Sequence, residues 1–320
     1  MSLTLRFLGT VASRPTIERG VAGLAVIREG ETLLFDCGEG TQRQMMRYGI
    51  SFALNDIFIT HWHHDHFLGL PGLMRTLSLQ GRTDPLHIWG PAGGTKLMRN
   101  AELLGPDRLA FELTVHEMTP GETIRRTDYS IASYAAHHRG ATALGFAIVE
   151  DARRGRFDVE LAREMQIPEG PLWGRLHKGE TVTLEDGRVV ASSTLVGAAR
   201  TGRTVVYTGD TRPCDATVAI ARSADVLVHE ATFGDEEAER ATETGHSTAR
   251  EAAEIAARAG VRRLVLTHVS ARYSRDTSEL EQQAREVFPA TVFARDGLEI
   301  DVPFASDVAA EGSAAEPARS

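Results

Sequence analysis

A layered α/β fold is predicted by three features of this 320-residue chain. Short apolar runs stop at Gly, Asp or Asn, helical patterns lie between them, and the second half restarts the same alternation. In the first half Leu3 to Leu8, Gly23 to Arg28, Thr32 to Phe35 and Asp56 to Ile59 read as strands bounded by turn formers. Helical spacing begins after Gly40 and returns from Phe67 to Gln80 and from Gly93 to Leu104. Leu86 to Val149 is strand-rich and includes Tyr129 to Ala136. Between Asp151 and about Val190 the alternation gives way to charged residues and the turn-forming Ile167-Pro-Glu-Gly-Pro-Leu172, which predicts an insertion projecting from the core. Thr204 to Thr208, Val226 to Glu230 and Arg263 to Thr267 are strands again, and Thr248 opens a helix with Glu251 as its capping-box partner. The two halves read as similar β-rich layers flanked by helices, without a clean repeat. From Ser306 onward no periodicity remains, and a disordered tail is expected over 305–320.

The totals narrow the function. A composition 42% hydrophobic and 25% charged is that of an ordinary globular protein with a substantial core. A formal charge of -9 argues against a protein that coats itself with nucleic acid, because that affinity is carried by Lys and Arg. Two cysteines, Cys37 and Cys214, are too few for a disulfide framework and fit a reducing compartment. Met1 to Leu8 alternates like a strand instead of showing the basic flank and apolar block of a signal peptide, and no apolar run has membrane length. A cytoplasmic protein is expected.

The most informative string is Thr60-His61-Trp62-His63-His64-Asp65-His66, directly after a strand. Imidazole and carboxylate suit zinc and related dications, and a tight loop after a strand can turn alternate side chains to a common centre. His61 and His63 are candidates for one metal, Asp65 and His66 for a second. Two dications close together need more ligands, including a bridging carboxylate that reduces their repulsion. Asp210, in Tyr207-Thr-Gly-Asp-Thr211, and His268, in Leu266-Thr-His-Val-Ser270, each follow a strand, as do His137 and His138, one of which completes the first set.

The His61-x-His63-x-Asp65-His66 string, with Phe35-Asp-Cys-Gly-Glu-Gly40 before it and strand-end His, Asp and His after it, resembles the metallo-β-lactamase superfamily. Arg6-Phe-Leu-Gly-Thr10, Phe67-Leu-Gly-Leu-Pro-Gly-Leu73, His229-Glu-Ala-Thr-Phe233, His246-Ser-Thr248 and Thr267-His-Val-Ser-Ala-Arg-Tyr273 narrow the resemblance to ribonuclease Z, the endonuclease of tRNA 3′ trailers. It runs from about Leu3 to Val302. It implies a four-layer αβ/βα sandwich spanning 1–304, with 151–190 as an inserted flexible arm that holds tRNA. It further implies two Zn2+ per subunit, with Mn2+ or Fe2+ as substitutes. One ion is held by His61, His63 and His138, the other by Asp65, His66 and His268, and Asp210 bridges them. Asp36 orients a ligand histidine. His64, where the family usually has Gly, faces outward.

The same resemblance assigns roles. Water activated by the metals attacks phosphorus, Asp65 orients or deprotonates it, and Glu230 with His246 supplies the proton for the leaving 3′ oxygen. Precursor tRNA, not DNA or a membrane, is the implied partner, in a homodimer whose arm serves the neighbouring subunit. The products are a tRNA 3′-hydroxyl and a trailer 5′-phosphate. Arg272 and Arg19 are candidate substrate contacts, as are Arg153 and Arg154 in the arm, with Gly170 and Pro171 shaping its tip. From Asp151 to Glu180 six basic residues face six acidic ones, so any RNA grip there is local. Ile17 and Gly20 stand where the family has Lys and Asn in the loop that reads the tRNA end. The alternative reading is a phosphodiesterase or esterase acting on a small molecule with the same metals.

Overall fold

Central strands buried on both faces, with alternate side chains entering different cores, decide the architecture. In the computed structural model, which describes residues 1–104 and 108–305, the chain opens with β1 (Leu3–Gly9), β2 (Gly23–Arg28) and β3 (Glu31–Phe35). It continues through α1 (Thr41–Arg47), β4 (Asp56–Phe58), α2 (His64–Phe67), α3 (Gly69–Leu79), β5 (Leu86–Gly90), α4 (Gly94–Glu102) and β6 (Leu113–Glu117). Next come β7 (Thr123–Arg125), β8 (Tyr129–Ala136) and β9 (Ala143–Glu150).

Glu150–Arg203 then folds as a compact unit of its own. It holds α5 (Val159–Glu164), α6 (Pro171–His177), the hairpin of β10 (Val182–Thr183) and β11 (Val189–Val190), and α7 (Ser192–Leu195). Ala162, Ile167, Leu176, Val182, Val190 and Leu195 form its core. The two chain ends of the unit are joined by a buried bidentate pair, Arg203 Nε and Nη2 donating to the Glu150 carboxylate at 2.8 Å each. The expected insertion ended near Val190, but the unit runs on to Arg203. Its apolar residues are spaced too widely for periodicity to reveal the core.

The chain resumes with β12 (Thr204–Tyr207), α8 (Asp215–Ile220), β13 (Val226–Glu230), α9 (Ala238–Thr244), α10 (Ala249–Ala259), β14 (Arg263–Thr267), α11 (Ser278–Arg285), β15 (Thr291–Phe293) and β16 (Glu299–Asp301). Among the described residues there are two seven-stranded sheets, ordered β16-β1-β2-β3-β4-β5-β6 and β15-β14-β13-β12-β9-β8-β7. Leu5, Phe7, Leu33, Phe35 and Phe58 of the first meet Phe146, Val205, Val226, Val228 and Val265 of the second in one core. The alternate residues point away. Leu34, Ile57 and Ile88 pack under α1, α3 and α4, and Leu227, Leu264 and Leu266 pack under α8, α10 and α11. The result is the four-layer αβ/βα sandwich of the metallo-β-lactamase fold. Phe35, Phe58 and Phe146 lock its centre, with ring centroids 4.9 to 5.8 Å apart.

The capping box at α10 forms as expected: Thr248 Oγ1 accepts from the Glu251 amide at 3.2 Å and Glu251 Oε2 from the Thr248 amide at 2.8 Å. The helix expected from Phe67 to Gln80 is interrupted at Leu68, because its first residue is drawn against the β3 loop. Gly69 donates its amide to the Cys37 carbonyl at 2.8 Å, and a Cβ there would lie 2.1 Å from the Gly38 oxygen. The tail expected from Ser306 lies outside the described residues.

Gly69→Ala forces α2 and α3 away from the loop that carries Asp36. A loss of about 1–3 kcal/mol in unfolding free energy is expected in urea titrations; an unchanged midpoint would mean that the approach is not tight.

Candidate metal centre and active site

Every candidate ligand stands just beyond the C-terminal end of a strand, where the chain leaves the sheet and its side chains are free to converge. The loop after β4 carries His61 and His63, α2 carries Asp65 and His66, and His138 follows β8. Asp210 follows β12, Glu230 ends β13 and His268 follows β14. Backbone geometry is demanding at these ends. Asp36 and His268 adopt left-handed φ angles of 55° and 58°, uncommon for residues with a Cβ. Gly209 has φ 59°, and a Cβ there would lie 2.6 Å from the Thr60 side chain.

Two sets of donor atoms result. Nδ1 of His63 faces Nε2 of His138 at 3.1 Å, and His61 closes that set. Nε2 of His268 lies 3.3 Å from Nε2 of His66 and 3.4 Å from Oδ2 of Asp65. Asp210 stands between them. Its Oδ1 is 3.2 Å from His268 and 3.3 Å from His66, while its Oδ2 is 3.7 Å from His61 and 4.0 Å from His138. Ligands at about 2.0–2.1 Å from a tetrahedral ion are roughly 3.3 Å apart, so the closest separations suit a common cation. His61 Nε2 and Asp210 Oδ1 are buried without a hydrogen-bond partner, an arrangement that a shared cation relieves. The residues therefore fit divalent metal.

Electrostatics agree. Burial, reinforced by the neighbouring His66, holds the His61 pKa well below its ordinary value, leaving a neutral ring with a lone pair to donate. Burial opposes charge on Asp210, but His268 and His66 override it and keep the carboxyl ionised, well below its usual range. Asp65 is also depressed: the His268 hydrogen bond and the His66 charge outweigh burial. His66 moves up despite burial, through Asp210 and Asp36, the two carboxylates on either side of its ring.

Several supports escaped the sequence reading. Asp36 does hold His66, accepting at 2.8 Å from Nδ1, but it is itself fixed by the Thr60 amide at 2.8 Å and the Tyr207 hydroxyl at 2.8 Å. Asp65 Oδ2 accepts from the Ser13 amide at 2.7 Å. Thr232 donates to Glu230 at 2.8 Å and lies 3.2 Å from Nδ1 of His268. Thr60, Tyr207 and Thr232 sit in strings that had drawn attention; Ser13 acts through its backbone, which no pattern of side chains reveals.

His246 precedes α10 and faces Glu230, Nδ1 to Oε1 at 2.8 Å. Burial disfavours its charged form, yet the Glu230 carboxylate prevails and pushes the pKa up to about 9. Glu230 is lowered in turn, its burial overridden by His246. Because Nδ1 is committed to Glu230, Nε2 is the nitrogen left for a substrate. His138 is buried at the centre and its neighbour His137 is exposed, while His64 turns outward to the Ser13 carbonyl at 2.8 Å.

The substrate candidates divide. Arg272 lines a cavity of about 470 Å³ beside His246 and pairs with Glu237. Arg19 does not face substrate. It is buried, with Nε donating to the Ser274 carbonyl at 2.7 Å and Nη1 to Thr10 and Ala294 at 2.8 and 2.6 Å, so it fastens its own loop. In the 150–203 unit, Arg153 lies over Phe304 at 3.1 Å and Arg154 donates to the His177 carbonyl at 3.1 Å. Gly170, at φ 126°, turns the chain into Pro171, the first residue of α6.

Comparison with known proteins supplies the family. A beta-lactamase superfamily domain matches residues 175–269, and the anti-Pycsar protein Apyc1 model matches residues 3–151. A ribonuclease Z of Gemmatimonas aurantiaca is 62% identical over 310 residues, covering 97% of this chain and 99% of that one. The chain belongs to the ribonuclease Z family. Another ribonuclease Z, from Haloferax volcanii, is 52% identical over 318 residues, or 99% of both chains. The solved structure of human tRNase Z, short form, is 29% identical with a TM-score of 0.69 over 94% of this chain and 100% of that one. Ribonuclease Z membership makes the protein a nuclease of the hydrolase class.

Tyr207→Phe keeps the ring in the core but removes one of the donors that fix Asp36. Zinc affinity is expected to fall about 10–100-fold, read by competition with a chromophoric chelator; an unaltered affinity would show that Thr60 alone suffices.

Proposed function

We propose that this protein is a zinc-dependent endoribonuclease that cuts precursor tRNA at its 3′ trailer, leaving a tRNA 3′-hydroxyl and a 5′-phosphate on the trailer. Family membership and the likeness to human tRNase Z support the substrate. The observation that carries the chemistry is the pair of Glu230 and His246, 2.8 Å apart, beside the histidine and carboxylate cluster. An alkoxide leaving group needs a proton, and this pair is built to hold one.

His61, His63 and His138 would hold one cation and Asp65, His66 and His268 the other, with a carboxylate oxygen of Asp210 turned to each. Zinc suits these ligands best, and manganese and iron also accept them. Bound there, two cations lower the pKa of water and offset the negative charge of a phosphodiester. The chain's own groups do the rest. Asp65, kept ionised, orients the attacking water and receives its proton, and the Ser13 amide fixes the carboxylate through Oδ2. His246 Nε2 gives its proton to the departing 3′ oxygen, and Glu230 stabilises the ring while it is charged.

The test is incubation of zinc-loaded protein with a labelled tRNA carrying a short 3′ trailer, alongside bis-p-nitrophenyl phosphate. A single cut after the discriminator nucleotide is expected. It should be abolished in Asp65→Ala and slowed about 10²–10⁴-fold in kcat in His246→Ala, the usual range for general acid catalysis. Intact tRNA beside metal-dependent hydrolysis of the small ester would replace this reading with the small-molecule phosphodiesterase.

A further inference from the structure

Ser13 lies in the loop after β1, and both of its peptide groups are taken by consecutive residues of the histidine-rich string. Its amide donates to Oδ2 of Asp65 at 2.7 Å, and its carbonyl faces Nε2 of His64 at 2.8 Å. A carbonyl only accepts, so the His64 ring presents its N–H there. The same loop is joined to the opposite side of the cluster. Ala12 donates its amide to the Val269 carbonyl at 2.8 Å, the Val269 amide donates to the Thr10 carbonyl at 3.0 Å, and Val269 directly follows His268. One short stretch of backbone, Thr10 to Ser13, therefore ties the segment of Asp65 and His66 to the segment of His268. Those three residues are one of the two donor sets. The other set takes its support elsewhere: Nδ1 of His61 faces the Thr60 hydroxyl at 3.1 Å, and Nδ1 of His138 faces the Gly245 carbonyl at 3.0 Å.

Ser13 has to be held from outside. Its φ of 62° is a left-handed conformation that a residue with a Cβ keeps only when its surroundings impose it, and Ser13 is exposed, so packing does not impose it. The amide and the carbonyl stand on either side of that rotation, so φ stays there only while both are bonded. We propose that His64 is a positioning residue, a latch that keeps the Ser13 amide on Asp65 and so tightens the cation of Asp65, His66 and His268, but not that of His61, His63 and His138. The assignment rests on the two-cation reading proposed above. Without the latch Ser13 relaxes to negative φ, its amide leaves Oδ2, and Asp65 loses a donor that fixes its carboxylate. The bonds between Thr10, Ala12 and Val269 remain, so the set loosens on the Asp65 side alone.

Zinc itself is the probe. The zinc-loaded chain and its His64→Ala and His64→Gln variants are titrated with a chromophoric chelator, which reads two dissociation constants for each. Alanine removes the donor and preserves α2, and glutamine offers an amide N–H near the position of Nε2. In His64→Ala one constant should rise about tenfold, the lower end of what loss of a support behind a ligand costs, while the other stays unchanged. His64→Gln should recover most of the loss. Added to His268→Ala, which strips the latched set, His64→Ala should leave the remaining affinity unaltered; added to His138→Ala, it should weaken it. Two unchanged constants, or two that rise together, overturn the latch. Two zinc ions held by the native chain with no effect of His64 remove the latch alone and leave the two-cation reading standing. Fewer than two ions held by the native chain remove both.

Discussion

Asp210 brings a full negative charge to a position closed to solvent, where removing a carboxylate from water costs several kcal/mol even after the surroundings relax. Little of that cost can be recovered by ordinary hydrogen bonds, because Oδ1 has no such partner. It is recovered by the histidines His268 and His66 on one side and His61 and His138 on the other. Those rings repel one another when protonated and crowd one another when neutral, so the group is held together by what it can share: protons or divalent cations. The same constraint explains Asp36, Thr60, Tyr207 and Thr232, which fix the far nitrogens or the carboxylates of the cluster and leave the inner atoms converging.

Such convergence requires chain paths that a relaxed strand end does not take. Left-handed φ at Asp36 and His268 is unfavourable by about 1–2 kcal/mol per residue. These conformations persist because both residues are anchored on the sandwich. Asp36 follows Phe35 and is bonded to Tyr207, both in the core between the sheets, and His268 follows Leu266 and Thr267 of β14. Glycine serves where even a methyl group cannot fit, at Gly69 against Gly38 and at Gly209 against Thr60. The core between the sheets thus has a mechanical role: it holds strained strand ends in a geometry that water and isolated loops would not maintain.

What could be read from the sequence follows from these physical differences. The central strands, buried on both faces, announce themselves as short apolar runs, so β1 to β4 and β12 to β14 were legible together with β8, whereas β5, β6, β7 and β9 stayed undivided in a strand-rich stretch and the short β15 and β16 were not seen. The candidate ligands were legible because several donors fall within six positions after one strand; Asp210 and His268 stood out as strand-end donors, and the family resemblance chose His138 over His137 and sorted the sets. The 150–203 unit hid its core, since Ala162, Leu176, Val190 and Leu195 come from separate short elements with no shared period. Arg19 misled for a general reason: a cation in a loop near a site looks the same in sequence whether it faces solvent or, as here, ties Thr10, Ser274 and Ala294 together. Ser13 could not be found, because an amide that bonds Asp65 carries no residue signature.

The charge distribution then bears on how a chain of net charge -9 handles a polyanion. General attraction is weak, and the wall next to the His246 cavity is itself acidic, with Asp235, Glu236 and Glu237 in the turn before helix α9 and Glu239 and Glu243 in that helix. Glu237 draws Arg272 toward that wall, and Tyr273 donates to the same acidic group. Low net attraction is compatible with nuclease action, because the histidines and carboxylates of the site are concentrated where the strand ends of two sheets bring them together.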